Sequence, residues 1–406
     1  MAVGDIKTPH LPPINGIRLS SVDAGIRYAG REDLVLIELP EGSSVAGCFT
    51  RNLYKAAPVI VSQKHLASAR TRYLLINSGN ANACTGEQGM DDANNSCKQV
   101  AELADVTSES VLPFSTGVIG MPMNMNAVEK GIPRAYETLG DDNWETVAKA
   151  IMTTDTFPKM VTREILIGDT SVRINGIAKG AGMIRPDMAT MLAYVFTDAD
   201  VQSETLQKIC SLATDKSFNR VTVDGDTSTN DSVILAATGK AKMPVIDSID
   251  SSHGQLFAEA VIDVFQELAQ LLVRDGEGAT KFVTISVDSG ADTDDCLKVA
   301  YSIAHSPLVK TAMFASDPNW GRLVAAIGRA DVEHLDASNV RIWLDDLLIV
   351  ENAGVASGYS EELGQQVFDQ AEFTIRVDLG MGDCSETIWT CDLSHEYVSI
   401  NADYRS

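Results

Sequence analysis

The sequence predicts an α/β protein in which helices cover layered sheets. Strand-like and helix-like segments alternate along all 406 residues, and 45% of the residues are hydrophobic, which is enough to build a sizeable core. A chain of this length folds either as two lobes or as one large layered unit.

Apolar periodicity locates the main elements. Short apolar runs predict strands at residues 34–39, 73–76 and 232–237, and helical spacing predicts helices at 91–104, 144–152 and 203–213. Residues 163–176 predict a hairpin that turns at Gly168-Asp169. A long amphipathic helix is predicted from one apolar stripe: Phe257, Val261, Val264, Leu268 and Leu271. Further strands are predicted within 281–290, 340–354 and 373–382.

Charge and cysteine content restrict the partners and the compartment. A formal net charge of −24 disfavours nucleic acid and anionic membranes as partners, because both would be repelled. The seven cysteines are odd in number and include no C-x-x-C pair, which is typical of a reduced, intracellular protein. The first twenty residues resemble neither a signal nor a transit peptide, and no apolar stretch reaches membrane-spanning length. We therefore expect a soluble, cytoplasmic protein, and the charge says little about a small-molecule substrate.

Several connections are richer in glycine and polar residues than a plain turn requires. Each can be explained as a capped tight turn, but their number favours a binding pocket. They are NSGNANACTG (77–86), FSTGVIG (114–120), MTTDTFPK (152–159), VDGDTSTND (223–231), RDGEGATK (274–281) and SDPNWGR (316–322).

The common cofactor and catalytic signatures are missing from the sequence. GAGMIR places Arg185 where a dinucleotide-binding fingerprint needs its third glycine, and neither a phosphate-binding loop nor a G-x-S-x-G elbow occurs. The six histidines are far apart, which disfavours a metal site or a histidine-based triad. We therefore predict no cofactor and no metal.

One segment suggests a nucleophile that needs no histidine. Residues 179–187 are predicted as a loop and 188–196 as a buried strand, with Thr190 near the junction and the small Ala189 before it. A threonine at a chain start can use its own α-amine, with a pKa of roughly 8, as the base for its hydroxyl. This chemistry requires a break between Ala189 and Thr190 by an N-to-O acyl shift and hydrolysis. From spacing alone, an ordinary strand threonine remains the alternative.

The segment KGAGMIRPDMATML closely resembles the self-cleavage segment of the ornithine acetyltransferases of arginine biosynthesis, also called glutamate N-acetyltransferases. The similarity extends over nearly the whole chain and keeps the family's order. The other matching segments are NSGNANACTG, STGVIG, MTTDTFPK, NRVTVDGDTSTND, DGEGATKF, SPLVKTA, DPNWGR and NADYRS.

The resemblance implies a layered α/β fold of two lobes, of the ornithine acetyltransferase and self-processing aminopeptidase type. It implies that the chain cuts itself into residues 1–189 and 190–406, which stay intertwined in one folded unit. Thr190 then carries acetyl from N2-acetylornithine to glutamate in a ping-pong reaction, with Thr116 and Gly117 as the oxyanion hole. Two copies of each fragment are the expected assembly, and acetyl-CoA as an additional donor is left open.

The same resemblance implies which residues contact the substrate: Thr153, Lys179, Thr190, Glu277, Asn401 and Ser406. Thr154 is the alternative to Thr153. Lys179 could pair with the substrate carboxylate and Glu277 with the ornithine ammonium, although a loop lysine and a helix-end carboxylate are the plain alternatives. An aminopeptidase or amidohydrolase with the same nucleophile is the alternative enzyme, and a binding protein without chemistry is the alternative from another class.

Overall fold

The structure, a computed structural model, describes residues 2–185 and 191–402. Its contacts divide the chain into two compact units. The larger unit comprises Lys7–Asn219 and Asp226–Leu272, and the smaller unit comprises Met1–Ile6, Arg220–Gly225 and Val273–Ser406. The prediction of an α/β fold with two lobes is confirmed.

The strands and helices of the described residues are as follows. The strands are β1 (Arg18–Val22), β2 (Leu34–Glu38), β3 (Ser44–Phe49), β4 (Tyr73–Asn77), β5 (Val111–Ser115), β6 (Lys159–Ile167), β7 (Thr170–Lys179), β8 (Leu192–Thr197), β9 (Val221–Thr222), β10 (Ser232–Ala237), β11 (Phe282–Gly290), β12 (Arg341–Leu344), β13 (Leu347–Glu351), β14 (Gly354–Val355), β15 (Glu372–Asp378) and β16 (Cys384–Cys391). The helices are α1 (Ala57–Ser68), α2 (Gly86–Ala104), α3 (Met125–Glu137), α4 (Trp144–Ala150), α5 (Ser203–Asp215), α6 (Ser252–Arg274), α7 (Thr293–Ala304), α8 (Pro307–Phe314), α9 (Trp320–Gly328), α10 (Glu361–Phe368) and α11 (His395–Ala402).

The larger unit has two sheets with one apolar core between them. One sheet has the order β1-β2-β4-β5 and the other has the order β3-β10-β8-β7-β6. Residues of both sheets, together with Trp144 of α4, share this core. Helices α1, α2 and α3 pack on the outer face of the first sheet, while α5 and α6 pack on the second. The result is a helix–sheet–sheet–helix sandwich.

The period of two along β4 explains why both faces of its sheet are covered. Leu74 and Ile76 point into the core between the sheets, whereas Tyr73 and Leu75 belong to the cluster formed with the outer helices. Successive side chains of a strand point to opposite faces, so a run of five buried residues must be covered on both sides.

The smaller unit has one mixed sheet with the order β14-β13-β12-β15-β11-β16-β9. Helices α7, α8 and α9 share an apolar core with the central strands of this sheet. The described parts of the chain contain no helix that is both long and apolar enough to cross a membrane.

Most predicted elements agree with the structure, and the differences have local causes. The hairpin forms as β6 and β7, with Ile167 paired to Thr170 around the predicted turn. Helix α2 begins at Gly86 instead of residue 91, because its first turn is polar and glycine-rich and carries no apolar stripe. In α6, Leu272 is fully buried and Leu271 is only half-buried, so the buried stripe ends one residue later than predicted.

Candidate active site

Three of the polar loops meet in the larger unit through one side chain. The Asn230 amide donates to the carbonyl of Ala81 at 2.6 Å and to that of Ser115 at 2.9 Å. It therefore links the segments 77–86, 114–120 and 223–231, which are far apart in sequence. A carboxamide can donate two hydrogen bonds, and here both are used to hold the backbone of other loops.

The predicted oxyanion-hole residues follow directly after β5. The Thr116 N–H donates to the Asn77 carbonyl at 2.9 Å, so the side-chain hydroxyl is the donor that Thr116 retains for a ligand. Gly117 has a φ of +138°, and a Cβ there would lie 2.8 Å from the Asn80 nitrogen. Glycine is thus required at position 117 both by the backbone angle and by the approach of the neighbouring loop.

Lys179 is buried beside this pair. The lysine is the last residue of β7 and is 2% exposed, so the predicted loop begins one residue later than expected. Its Nζ donates to the Thr116 Oγ1 at 3.1 Å. An ammonium only donates, so the threonine oxygen accepts here and the hydroxyl proton must point elsewhere. This contact brings Thr116 and Lys179, two of the predicted site residues, directly together.

A buried carboxylate that sequence reasoning missed lies next to Lys179. Asp155 Oδ1 accepts from the Lys159 ammonium at 2.5 Å and from the Gly180 N–H at 2.6 Å. The two side chains of the Asp155–Lys159 pair are fully buried. Asp155 Oδ2 also accepts from the Thr153 N–H at 2.9 Å, which ties the predicted substrate residue Thr153 to this cluster.

Charge keeps Asp155 ionised. Burial alone would raise the pKa of its carboxyl, but the ammonium groups of Lys159 and Lys179 and the Gly180 N–H outweigh burial. They hold the pKa of Asp155 well below its usual range. The cluster therefore contains one carboxylate and two buried lysines within hydrogen-bonding reach or Coulombic range of it.

The chain just after the predicted nucleophile is fixed on both sides. The Met191 N–H donates to Asp231 Oδ1 at 3.1 Å, and the Met191 carbonyl accepts from the Ser232 N–H at 3.2 Å. β8 then starts at Leu192, which pairs with Lys179 of β7 and with Ser232 of β10. Ala189, Thr190 and Ser406 lie outside the described residues, so the predictions made for them stay predictions.

Glu277 and Asn401 form a separate contact in the smaller unit. The Asn401 amide donates to Glu277 Oε2 at 2.8 Å. The adjacent Gly278 has a φ of +70°, and a Cβ there would lie 2.6 Å from the Tyr397 nitrogen of α11. The loop and the helix therefore pack closely, which keeps these two predicted residues together. Ser394 at the start of this helix also donates to the Gly278 carbonyl at 2.6 Å.

Asp155, Lys159 and Asp231 were not among the predicted site residues, although all three occur in the glycine-rich or polar loops singled out in the sequence. The signal that could have identified them is a charged side chain inside a loop flanked by buried strands. Such a side chain must find partners, and only the folded chain shows which partners these are.

Comparison with known proteins identifies the family. The chain matches the ArgJ family over residues 18–406. It is 51% identical to the arginine biosynthesis bifunctional protein ArgJ of Psychrobacter arcticus, over 100% of both chains, and 51% identical to the protein of that name from Pseudomonas fluorescens, again over 100% of both. A solved structure, the arginine biosynthesis bifunctional protein argJ from Bacillus halodurans, is 36% identical, covers 50% of this chain and 95% of its own, and superposes with a TM-score of 0.49. The chain belongs to the ArgJ family of arginine biosynthesis proteins.

Proposed function

We propose that the protein transfers acetyl from N2-acetylornithine to glutamate through an acetyl ester on Thr190, giving ornithine and N-acetylglutamate. The observation that carries this proposal is the buried contact between Lys179 and Thr116. It joins the lysine expected to bind the substrate carboxylate to the hydroxyl expected to stabilise the oxyanion.

The nucleophile is first released by self-cleavage. The Thr190 hydroxyl attacks the carbonyl carbon of Ala189, the C–N bond breaks, and an ester forms while the Thr190 nitrogen becomes a free amine. Water then hydrolyses the ester, which leaves a carboxylate on Ala189 and restores the hydroxyl of Thr190. The new α-amine, with a pKa of roughly 8, accepts the hydroxyl proton in later turnovers.

Acetyl transfer follows in two half-reactions. The Thr190 oxygen attacks the acetyl carbonyl, and the Thr116 hydroxyl and the Gly117 N–H donate to the oxygen that becomes negative. Because Lys179 donates to Thr116 Oγ1, the proton of that hydroxyl is directed away from the lysine, which suits this role. Ornithine leaves with the proton held by the α-amine, and the amine of glutamate attacks the acetyl ester in the second half-reaction.

Further residues bind the substrate in this proposal. Lys179 pairs with the carboxylate, and Glu277 receives the side-chain ammonium of ornithine, with Asn401 holding one of its oxygens. Thr153 is preferred over Thr154 because its N–H is bonded to the Asp155 cluster. Ser406 completes the set on the basis of the family resemblance.

The sheet order supports the proposal that the fragments remain assembled after the cut. In the five-stranded sheet, β8 and β10 from residues 190–406 lie between β3 and β7 from residues 1–189. Separating the fragments would break two strand pairings, in which β7 pairs with β8 and β3 pairs with β10. An assembly of two copies of each fragment and a cytoplasmic location complete the proposal.

The relatives are called bifunctional, which supports a second activity for this chain. We propose that this is synthesis of N-acetylglutamate with acetyl-CoA as the acetyl donor. The reaction would use the same ester and the same acceptor, with only the donor changed.

Two assays and one variant test the proposed function. The purified protein is incubated with N2-acetylornithine plus glutamate, and separately with acetyl-CoA plus glutamate, and acetylated products are followed by mass spectrometry. Intact mass should show the fragments 1–189 and 190–406. Thr190→Ala should remain uncut and inactive, because both the attacking oxygen and the release of the amine depend on that hydroxyl.

Other results would contradict the proposal. An active enzyme with an intact peptide bond between residues 189 and 190 would exclude the threonine-amine mechanism. Acetyl released to water faster than to glutamate would instead indicate the amidohydrolase alternative.

A further inference from the structure

A fully buried carboxyl holds the residue that follows Thr190. Asp231 is 0% exposed and accepts the Met191 N–H on Oδ1 at 3.1 Å. Its Oδ2 has no hydrogen-bond partner among residues 2–185 and 191–402. A buried carboxyl oxygen without a partner among the described residues costs free energy, so an aspartate at this place calls for a role beyond packing.

Asp231 and the adjacent Ser232 hydrogen-bond to the backbone N–H and the backbone carbonyl of Met191, respectively. Ser232 donates its N–H to the Met191 carbonyl and is paired with Leu192 in the parallel ladder between β8 and β10. The Met191 N–H precedes the first residue of β8, so the Asp231 side chain takes the place of a strand carbonyl. Two adjacent residues thus fix both polar groups of Met191.

Met191, which these two hydrogen bonds hold, is covalently adjacent to the predicted nucleophile Thr190. Thr190 is joined to Met191 by one peptide bond, and consecutive Cα atoms lie about 3.8 Å apart. The N–H that Asp231 holds belongs to that same planar peptide group. A rotation or displacement of this peptide group is therefore expected to change the orientation of the threonine hydroxyl.

Burial raises the pKa of the Asp231 carboxyl well above its usual range, against the opposing influence of the Met191 N–H, the Ser228 hydroxyl and the Lys179 ammonium. Burial therefore favours the protonated form of the Asp231 carboxyl. A protonated carboxyl offers one accepting oxygen and one donating O–H, which is the pattern of a carboxamide. Asparagine is consequently a close mimic of the native side chain.

We propose that Asp231 is a positioning residue. It orients the Thr190 hydroxyl by holding the Thr190–Met191 peptide group through a hydrogen bond to the Met191 N–H. The role rests on the proposed function, in which Thr190 attacks first its own chain and then the acetyl donor. Asp231 would act in both reactions, since both start from the same oxygen.

The plain alternative is that Asp231 only satisfies a backbone donor, as Asp198 does at the other end of β8. Asp198 Oδ1 accepts the Arg173 N–H at 2.9 Å and follows the last strand residue, Thr197. Asp198 is 8% exposed, and burial raises the pKa of its carboxyl too. It is therefore a matched control for a buried carboxyl that caps the same strand far from residue 190.

The test compares Asp231→Leu, Asp231→Asn and Asp198→Leu in the full chain. Leucine has nearly the shape of aspartate without an acceptor, and asparagine keeps the acceptor. Self-cleavage is followed by intact mass, and kcat and KM are then measured on the cut protein with N2-acetylornithine and glutamate. Circular dichroism and Tm establish that each variant is folded.

Asp231→Leu should slow cleavage and lower kcat by about 10²-fold, the loss typical of a misaimed reacting group, with little change in KM. Asp231→Asn should retain most of both rates. Asp198→Leu should lower Tm and leave both rates near the wild-type values.

Three results would overturn the proposal. They are an Asn variant as slow as the Leu variant, an Asp198→Leu chain as slow as Asp231→Leu, or a folded Asp231→Leu chain with wild-type rates. If Asp231→Leu does not fold, the Asn variant decides: rates near wild type support the proposal, and a folded but slow chain contradicts it. A wild-type chain that is never cut would refute the proposed function itself, and this result is distinct from all of these.

Discussion

Two buried aspartates in the larger unit have pKa values shifted in opposite directions, although burial acts on both in the same direction. Asp155, in the loop before β6, is surrounded by ammonium groups and a backbone N–H and is ionised. Asp231, just before β10, accepts one backbone N–H, and burial raises the pKa of its carboxyl. The neighbouring groups, and not burial alone, therefore decide the direction in which the pKa of a buried carboxyl is shifted here.

Lys179 connects the two regions. Its ammonium lowers the pKa of Asp155 and also opposes the raised pKa of Asp231. Asp155 has Lys159 as an additional direct partner, whereas Asp231 has no ammonium bonded to it among the described residues. Lys179 acts on both carboxyls, but only Asp155, which is also paired with Lys159, has its pKa lowered.

The largest expected effect comes from removing the ionised member. Asp155→Ala leaves Lys159 and Lys179 without their shared carboxylate, so the free energy of unfolding should fall by about 3–5 kcal/mol. The measurement is urea unfolding at pH 7 in a Thr190→Ala background, so that all variants are compared as uncut chains. Asp169→Ala, in the exposed turn between β6 and β7, is the control and should change stability by less than about 0.5 kcal/mol. An equal loss of unfolding free energy in the two variants would mean that the contacts of Asp155 stabilise the fold no more than an exposed turn residue does.

A smaller loss is expected when the shared lysine is removed. Lys179→Met should lower the free energy of unfolding by about 1–3 kcal/mol, because a buried hydrogen bond is lost while Asp155 keeps Lys159. Lys242→Met replaces an exposed lysine and serves as the control in the same urea experiment. A loss as large as that of Asp155→Ala would mean that Lys159 alone does not stabilise the carboxylate.

The smallest expected effect is a difference in how the free energy of unfolding depends on pH at the two aspartates. The lowered pKa of Asp155 contributes stability above about pH 4 that is lost as the pH falls. Asp231 has the opposite sign: its raised pKa means that the folded chain holds a proton which the unfolded chain releases above about pH 4, so stability falls as the pH rises.

Asp231→Asn removes this dependence. Relative to the parent chain, its free energy of unfolding should increase as the pH rises above about 4, because the variant has no carboxyl proton to release on unfolding. Urea unfolding across this range measures the difference directly. A constant difference would contradict a raised pKa of Asp231 in the folded protein.

Local patterns predicted much of the fold. The hairpin around Gly168-Asp169, the strand β10 and the long helix α6 follow from periodicities of two and 3.6 and from turn residues, which depend only on nearby sequence. The start of α2 was missed because its first turn is polar, and the extension of β7 to Lys179 was missed because a lysine next to glycine is more often found in a loop.

The family resemblance named the residues of the candidate site but not the contacts that connect them. No local pattern shows that Asn230 bonds to Ala81 and Ser115, because these contacts join distant segments. Asp155 and Asp231 look alike in sequence, each within a polar loop. Only their partners in the folded chain show that the pKa of Asp155 is lowered while that of Asp231 is raised.

The interior position of β8 also bears on whether folding precedes the proposed cleavage. A central strand is hydrogen-bonded along both edges, and the neighbours of β8 are β7 on one side and β10 on the other. If residues 1–189 and 190–406 were synthesised as separate chains, β8 and β10 would have to insert between β3 and β7. If the chain is cut as proposed, this topology favours synthesis as one polypeptide, then folding, and only then cleavage.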